Sequence, residues 1–573
     1  MLRLGLGNNL AMMFIGWEGV GLCSYLLIGF WYPDLANAKA ANKAFITNRV
    51  GDWGLTLGVF LLAVLAAMAL PGDHGNRWVS YDVLLPNILT VVEGHPTLAF
   101  LAALLLFVGA MGKSAQFPLY VWLPDAMAGP TPVSALIHAA TMVTAGVFLL
   151  NRMAPLFDLA PAAQAVVVVI GVVTALVGAL IAFGQTDIKK VLAFSTVSQL
   201  GYMFIACGVG AYWAGLFHVV THAFFKALLF LGSGAVIYAM AHNQDMRNYG
   251  NLKKYVPVTF WTMFAGWAAI AGVPFLFSGA YSKEAILGAA VNVHDDGINS
   301  LVAMVAPWAG WAGFGIAMLT AAYMTRMMML TFAGGEERWR LAPAVAHAHH
   351  HSAHAHAHHD DPHGFFYTDD EIAARHEEHE QHHPLSPDHE PREVPWEMWL
   401  PLVVLAILAL GGSALLMERG HAFMHWLAPG AGLEPHAIGK GLLLVIGTAA
   451  AAIGIAYGYL TYHAKKLGES EGWDMSKWSR FRRAAAKQFH IDEALGDGSV
   501  KAGGLLGTVL AAFDKWVVDG LVNLTGIVTR MLAGTGKWFQ TGYVRTYALV
   551  MQLGVAFLLL YAIYLWLNVG GRP

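Results

Sequence analysis

The sequence has little charge and almost no cysteine for its length. Only 12% of its 573 residues are charged, whereas a soluble globular domain has about 25%. Together with 57% hydrophobic residues, this excludes an ordinary soluble protein and predicts a membrane protein built from spanning helices. The two cysteines, Cys23 and Cys207, lie far apart in apolar runs, so the chain cannot build a thiolate metal site or an iron–sulfur cluster. Its 34 basic and 37 acidic residues nearly balance, which gives no indication of a nucleic-acid partner.

The start of the chain lacks the features of a secretory signal. A signal would have a basic end, a short apolar stretch and a small-residue cleavage site, but the apolar run of residues 1–30 passes straight through Glu18. The pattern predicts a true span that begins almost inside the membrane. We therefore expect Met1 to be an internal methionine of a longer protein.

Apolar runs of about 20 residues predict twelve spans. They are 8–31, 40–70, 98–127, 132–152, 164–184, 188–209, 213–241, 256–294, 304–333, 396–417, 439–461 and 546–569. Two are interrupted: 98–127 stops at Lys113 and resumes after Pro118, and 256–294 is cut at Pro274 and resumes near Lys283. Paired interruptions are typical of transporters with inverted repeats, whose discontinuous helices place polar groups at the bilayer midplane. The predicted fold class is all-α, a polytopic membrane helix bundle whose core has inverted repeats with two discontinuous helices.

The spans divide the chain into five expected regions. These are a core at 1–333, a His-rich loop at 334–395, two further spans within 396–461, a basic linker with a lateral amphipathic helix at 462–545, and a last span at 546–573. The loop contains 14 of the 26 histidines and is predicted to be a solvated linker rather than a metal sensor or buffer. Apolar residues at helical spacing over 490–544 predict an amphipathic rod of roughly 60 Å. The distribution of Lys and Arg places both long segments on the inside.

Ionisable side chains recur within the predicted spans. Each costs on the order of 2.5–3.5 kcal/mol at the centre of a span, so each requires a partner or a function. They are Glu18, Arg49, Asp52, Lys113, His138, His218, His222, Lys226, Lys283 and Glu284. Lysines beside carboxylates can be loaded and unloaded with protons, and histidine can accept on one nitrogen and donate from the other. Their order along the chain therefore predicts a proton relay.

Structural interpretations remain open for single members of this row. Glu18 could pair with a structural Arg49, and His138 alone would more often be a core histidine than a relay member. Lys226 and Lys283 could extend to an interface if the spans are shifted by one turn. The whole row favours the relay more strongly than any one member does.

Two histidine pairs raise the alternative of a metal site. In His218-x-x-x-His222 the second position is Val219, where a zinc metalloprotease needs its catalytic Glu, and two histidines alone do not make a site. Together with His379 and His382-His383, the pair is loosely similar to the boxes of membrane di-iron desaturases, but those lie together at one membrane face. We therefore expect no metal site.

Long strings of residues resemble the antiporter-like L subunit, or subunit 5, of respiratory complex I. The resemblance covers essentially the whole chain except the His-rich insert. Its strings are Gly16–Ile28, Asn48–Asp52, Gly112–Gln116, Trp122–His138, Gln185–Lys190, Thr221–Leu228, Tyr281–Glu284 and Gln540–Arg545. The first four spans of that family are absent from this sequence, so we expect a shortened chain.

The resemblance implies proton translocation driven by electron transfer from NADH to quinone in partner subunits. It assigns Glu18 and Lys113 as an acid–lysine pair tuned by Arg49 and Asp52, and His138 as a connector. It further implies that His218, His222 and Lys226 form the central relay and that Lys283 with Glu284 is the exit group. Asp187 and Lys189 would lie near the inside access point, and the rod would clamp neighbouring antiporter-like subunits. The resemblance implies no cofactor in this chain, because NADH, FMN, iron–sulfur clusters and quinone are expected in partner subunits. The expected location is a bacterial inner membrane, with the mitochondrial inner membrane as the alternative.

Three other functions compete with this one. A large subunit of a multisubunit Na⁺/H⁺ antiporter shares the broken helices and the Glu–Lys pair. If the chain were a distal scaffold, replacing Lys113 or Lys283 by a neutral residue would leave pumping intact, whereas cutting the rod would disrupt assembly. A membrane di-iron enzyme would contain iron.

Overall fold

The computed structural model describes residues 1–70, 78–274, 277–293, 300–333, 336–340, 385, 388–417, 440–463 and 475–569. The chain divides into two units, Met1–Phe489 and His490–Pro573. Among the described residues the regular structure is helical, with isolated β-bridges and no strand. This confirms the predicted all-α membrane fold.

The first unit contains eighteen described α-helices, of which nine are at least 18 residues long. In chain order they are α1 (Leu2–Leu6), α2 (Leu10–Ile28), α3 (Leu35–Ala69), α4 (Tyr81–Leu84), α5 (Ile88–Val92), α6 (Pro96–Lys113), α7 (Thr131–Ala139), α8 (Ala145–Arg152), α9 (Ala154–Asp158), α10 (Pro161–Gly184), α11 (Ile188–Gly208), α12 (Tyr212–Ala239), α13 (Pro257–Ala271), α14 (Ser278–Val291), α15 (Ser300–Phe332), α16 (Trp396–Met417), α17 (Lys440–Tyr462) and α18 (Arg480–Ala486). Short 3₁₀ turns connect several of them, at Asp125–Ala128, Met142–Thr144, Met246–Asn248, Leu252–Lys254, Arg338–Arg340, Met475–Lys477 and Gln488–His490.

Helix starts follow local sequence signals. Asn9 caps α2, Asp34 caps α3 and Asp187 caps α11, in each case with a side-chain oxygen that accepts from a backbone N–H of the first turn. Proline occupies the first position of α6, α10 and α13, where its missing N–H costs no helical bond. The left-handed Gly272, with φ of 82°, ends α13.

Apolar helices match the predicted spans in number. Ten helices of the described residues are long and apolar enough to cross a membrane, and two shorter ones, Pro257–Ala271 and Trp396–Gly411, complete the set. The prediction that the span at 256–294 is broken is confirmed, because α13 ends at Ala271 and α14 begins at Ser278.

The first break lies elsewhere than predicted. The chain leaves the helix at Lys113 as expected, but it does not resume as an α-helix after Pro118, and the next α-helix begins at Thr131. The interrupted span is instead 131–152, which was predicted to be continuous: α7 and α8 are separated by residues 140–144. The bundle therefore has two discontinuous helices, α7/α8 and α13/α14.

Helix α11 lies at the centre of the first unit and is buried along its spanning length. Glycines allow α10 to approach it closely: a Cβ on Gly201 would lie 2.5 Å from the Gly171 carbonyl oxygen, and one on Gly178 would lie 2.8 Å from the Ser198 nitrogen. Small residues at such crossings are a common way to pack helices in a membrane. On its other sides α11 contacts α12 and α14, which carry most of the predicted relay.

The second unit is a long helix followed by one span. The helix runs from Ile491 to Phe513, continues through a π-helical turn at Asp514–Val518 and then from Asp519 to Gly536, about 70 Å in all. A 3₁₀ turn at Lys537–Phe539 and the helix Val544–Val569 follow. The predicted amphipathic rod is confirmed as a helix, and its apolar residues are exposed within the chain. They are Leu506, Leu510, Phe513, Val517, Leu521, Leu524 and Val528.

The His-rich loop falls mostly outside the described residues. Only its two flanks are described, at 336–340 and at 385 and 388–395. His379, His382 and His383 are among the residues that are not described. The predicted linker therefore stays a prediction.

Candidate functional site

Two ion pairs join α2, α3 and α6. Lys113, the last residue of α6, is 1% exposed, and its Nζ lies 3.2 Å from Asp52 Oδ2 of α3. The Trp17 indole N–H donates to the other Asp52 oxygen at 2.7 Å. Glu18, next to Trp17 in α2, pairs with Arg49 of α3.

This pairing differs from the expected one. The direct carboxylate partner of Lys113 is Asp52, and Glu18 has the Arg49 partner that was the structural alternative. The physical reason is the helical period of α3, since residues three apart lie on the same face and reach neighbouring partners. Space for the ammonium comes from Gly21, because a Cβ there would lie 2.7 Å from Lys113 Nζ.

Between Lys113 and Thr131 the chain forms no α-helix, and side chains bind its backbone. The Trp122 indole N–H donates to the Gly112 carbonyl at 3.0 Å, and Ser114 Oγ accepts from the Gly146 N–H at 3.1 Å. Lys189 Nζ donates to the carbonyls of Met127 and Gly129 at 2.7 and 3.3 Å. Lys189 thus supports the non-helical backbone between α6 and α7.

Asp187 has a structural contact close to Lys189. Its carboxylate accepts from the Lys189 and Lys190 backbone N–H groups and so caps α11. Burial raises the pKa of the Asp187 carboxyl, and the nearby Lys190 charge opposes that shift. The role of Asp187 and Lys189 near the inside access point stays a prediction.

A histidine of α12 forms a hydrogen bond with the end of α7, next to the break between α7 and α8. His222 Nδ1 donates to the carbonyl of Ala139, the last residue of α7, at 3.1 Å. His138, one residue earlier, is fully buried with its ring centroid 5.1 Å from that of Phe230. Among the described residues, neither nitrogen of His138 nor Nε2 of His222 has a hydrogen-bond partner. The hydrogen-bonding capacity of these three buried nitrogens is therefore unused in the structure.

The second histidine of α12 reaches α11 and α14. His218 Nδ1 lies 2.8 Å from Ser282 Oγ, and its Nε2 lies 3.2 Å from Gln199 Oε1. Ser282 Oγ is also 2.9 Å from Thr221 Oγ1. Since both ring nitrogens of His218 contact these polar groups, the pair His218 and His222 is not arranged around a metal. No group of three or more His, Cys, Asp or Glu in the described part of the chain is arranged to hold one.

Two further lysines are buried in the same interior. Lys226 of α12 is 0% exposed, and its Nζ donates to Ser195 Oγ at 2.6 Å and to the Leu192 carbonyl at 3.3 Å. Lys283 of α14 donates to the Ile270 carbonyl in the last turn of α13, across the second break. Neither forms one of the ion pairs seen here, so both ammonium groups bind neutral oxygen atoms, which stabilise a charge less than a carboxylate does.

The two residues predicted to form the exit group lie beside a small cavity. Lys283 and Glu284 line it together with Gly272 of the break, Phe314 of α15 and Leu443 of α17. The Lys283 ammonium also lies 5.8 Å from the centroid of the Tyr202 ring. The cavity therefore places the buried lysine and the adjacent glutamate beside one mostly apolar space.

The structure joins one half of the predicted row more closely than the other. Lys226, His222 and His218 follow one another along α12, and Ser282, whose hydroxyl contacts His218 Nδ1, precedes Lys283 in α14. The Asp52–Lys113 pair has no hydrogen bond to His138. Sequence reasoning missed the neutral partners Ser195, Gln199, Thr221 and Ser282. Their signal was a set of polar side chains within apolar spans.

The sequence matches a family model and several curated proteins over much of its length. A family model described as NADH:quinone oxidoreductase/Mrp antiporter, TM matches residues 7–309. The protein named NADH-quinone oxidoreductase subunit L from Neisseria meningitidis serogroup B is 45% identical over 415 residues, which are 71% of this chain and 55% of that protein. Its namesake from Mycobacterium tuberculosis is 41% identical over 468 residues, 81% of this chain and 63% of that protein. The chain thus spans about half to two thirds of the length of the curated relatives it matches.

One solved structure shares the fold. A chain in a structure of the Mrp complex from Dietzia sp. DQ12-45-1b has a TM-score of 0.64 and 23% identity, covering 92% of this chain and 50% of that chain. At this identity the likeness concerns the fold alone. Because the family model covers more than half of the sequence, this chain belongs to the NADH:quinone oxidoreductase/Mrp antiporter transmembrane family.

Proposed function

We propose that this chain is a proton-translocating membrane subunit of an NADH:quinone oxidoreductase, driven by electron transfer in partner subunits. The observation that carries the proposal is the buried series Lys226, His222, His218, Ser282 and Lys283. A buried lysine without a carboxylate partner is costly to keep in a membrane span, and two such lysines, Lys226 and Lys283, indicate that these residues have a function. The relatives named NADH-quinone oxidoreductase subunit L support the choice of complex.

The residues of this series have complementary proton chemistry. Lys226 and Lys283 each hold or release a proton, and a histidine between them accepts on one nitrogen while it donates from the other. The Ser282 hydroxyl is both donor and acceptor, so it can exchange a proton with His218 at the end of the series where Lys283 is the next residue of α14. His138 extends the series toward α7 through its free ring nitrogens.

Asp52 and Lys113 form the control pair in this proposal. Their ion pair favours the charged lysine, and any movement that separates the two groups makes the Lys113 proton easier to release. Glu18 and Arg49 are part of the same group of charges, as the family resemblance implies. Asp187 and Lys189 are proposed to lie near the inside access point.

The electron-transfer cofactors are proposed to lie in partner subunits. NADH, FMN, iron–sulfur clusters and quinone are then bound elsewhere, and the helix Ile491–Gly536 contacts neighbouring antiporter-like subunits through its exposed apolar residues. The membrane is proposed to be the bacterial inner membrane.

The second candidate is a large subunit of a multisubunit Na⁺/H⁺ antiporter. The shared fold with a chain of an Mrp complex favours it. Tagging the C terminus, solubilising the membrane in mild detergent and identifying co-purifying chains by mass spectrometry separates the two candidates. Subunits that contain flavin and iron–sulfur clusters and oxidise NADH are the expected result. Recovery with small membrane subunits alone, without redox cofactors, would contradict the proposal and favour the antiporter.

A further inference from the structure

The start of α13 lacks a cap from its own sequence. Its N-cap residue is Val256, whose apolar side chain has no hydrogen-bond acceptor, and Pro257 occupies the first helical position. The next two backbone N–H groups, of Val258 and Thr259, therefore need an acceptor from elsewhere.

Glu393 supplies that acceptor from the segment before α16. One carboxylate oxygen accepts from the Val258 and Thr259 N–H groups at 2.8 and 3.2 Å, and the other accepts from the Thr259 hydroxyl at 2.6 Å. These three hydrogen bonds join residues that are more than 130 positions apart in the sequence. A carboxylate at this end of a helix is also favoured by the positive end of the helix dipole.

The same segment binds the end of α12. His389 Nε2 donates to the carbonyl of Ala239, the last residue of α12, at 2.8 Å. The Trp339 indole N–H donates to the His389 carbonyl at 3.0 Å. The segment 389–393 thus holds one end of each of the two helices that meet at the relay.

The other end of α13 carries the acceptor of Lys283. Helix α13 is 15 residues long, about 22 Å, and the Ile270 carbonyl near its far end accepts from Lys283 Nζ. Its interior has no proline, so it behaves as one rigid element between the two contacts. A displacement of its first turn is therefore transmitted to the carbonyl that binds Lys283.

We propose that Glu393 is a positioning residue for Lys283, acting through α13 as an external helix cap. The carboxylate sets the axial position and tilt of α13, and these set where the Ile270 carbonyl meets the ammonium across the break. This inference rests on the proposed function for its effect on proton translocation, but its mechanical part stands apart from that function.

The test follows the first turn of α13 and the beginning of α14, which contains Lys283, in the complete membrane complex. Hydrogen exchange by mass spectrometry follows the amides of 258–259 and of 277–283, and proton translocation is measured in proteoliposomes. Glu393→Ala removes all three bonds and is expected to speed exchange about fivefold at the first turn, as for loss of a helix cap, and measurably at 277–283. Translocation is expected to fall about threefold or more, since catalytic geometry is sensitive to small displacements.

Matched variants separate positioning from general damage. Glu390→Gln removes an exposed carboxylate three residues earlier and is expected to leave exchange and translocation unchanged. Glu393→Gln keeps an acceptor oxygen for the backbone N–H groups, so it is expected to restore exchange at 277–283 to the wild-type rate. If Glu393→Ala does not accumulate, Thr259→Val removes one of the three bonds with little change of shape and is expected to shift the same two regions by about twofold.

Faster exchange at the first turn alone, with 277–283 unchanged, would overturn the inference. So would a Glu390→Gln variant that behaves like Glu393→Ala, or a Glu393→Gln variant that does. Faster exchange both at 258–259 and at 277–283, with full translocation, would support the mechanical link. It would count instead against the role of Lys283 in the proposed function.

Discussion

Replacing Asp52 by Asn removes the charge that faces Lys113 with almost no change of shape. The Asn carbonyl oxygen can still accept from the Trp17 indole, so the local packing of α2 against α3 is retained. What is lost is the carboxylate 3.2 Å from Lys113 Nζ, in a pair whose side chains are 1% and 3% exposed.

The magnitude follows from that burial. Removing one partner of a buried ion pair costs about 3–5 kcal/mol, because an uncompensated charge remains in the interior. Each 1.36 kcal/mol is about a factor of ten, so a step that requires the charged Lys113 slows by roughly two to four orders of magnitude. We expect proton translocation by the assembled complex to fall at least about tenfold after allowance for local relaxation.

The chain offers a matched control. Lys43 and Asp125 form an ion pair of 2.7 Å whose side chains are 29% and 32% exposed. Partly exposed pairs contribute about 0–1 kcal/mol, so Asp125→Asn is expected to change translocation less than fivefold.

The assay is proton translocation in proteoliposomes, followed with a pH-sensitive dye and normalised to the amount of assembled complex. Full translocation by Asp52→Asn would refute the reasoning. An equal loss in both variants would refute it as well, since burial would then not decide the effect.

Glycine substitutions give two further predictions with controls of their own. Gly21→Ala is expected to lower translocation several-fold without loss of assembly, because the new Cβ would lie 2.7 Å from Lys113 Nζ and displace the ammonium; Gly19→Ala, where a Cβ meets nothing within 4 Å, should translocate like wild type. Equal rates for the two variants would count against the position of Lys113. Gly201→Ala is expected to destabilise the bundle by about 1–3 kcal/mol through overpacking of α10 against α11, whereas Gly315→Ala should be neutral. Thermal unfolding of the purified complex checks this, and equal melting temperatures would contradict the close approach of the two helices.

Hydropathy predicted the number and most bounds of the spans because a helix in a membrane must be both long and apolar. It failed at the first break for a physical reason. Residues 118–127 are apolar, but they form only turns and a 3₁₀ segment, and side chains bind backbone carbonyls near both ends of this stretch, Trp122 at Gly112 and Lys189 at Met127. Conversely, no proline or glycine marks residues 140–144, where α7 and α8 separate. That break depends on a tertiary contact, the hydrogen bond from His222 to the Ala139 carbonyl.

The sequence predicts which residue types form the site better than it predicts which of them pair. Charged residues within apolar runs stand out in any sequence, and the series on α12 follows from helical spacing. The choice of Asp52 rather than Glu18 as the partner of Lys113 depends on how α2, α3 and α6 pack, which spacing along one helix does not determine. The contribution of Glu393 was also hidden, because its partners lie more than 130 positions away.

Lys283 is the residue on which the proposed translocation depends most directly. It is the last residue of the buried series, and its ammonium binds the Ile270 carbonyl across the break between α13 and α14. The decisive measurement is the number of protons translocated per NADH oxidised, by a Lys283→Ala complex that assembles to the wild-type level. Lys253→Ala, which removes an exposed lysine just before α13, serves as the control. The account predicts a lower ratio for Lys283→Ala and an unchanged ratio for Lys253→Ala. An unchanged ratio in the Lys283→Ala complex would contradict the proposal that this chain translocates protons through its buried lysines.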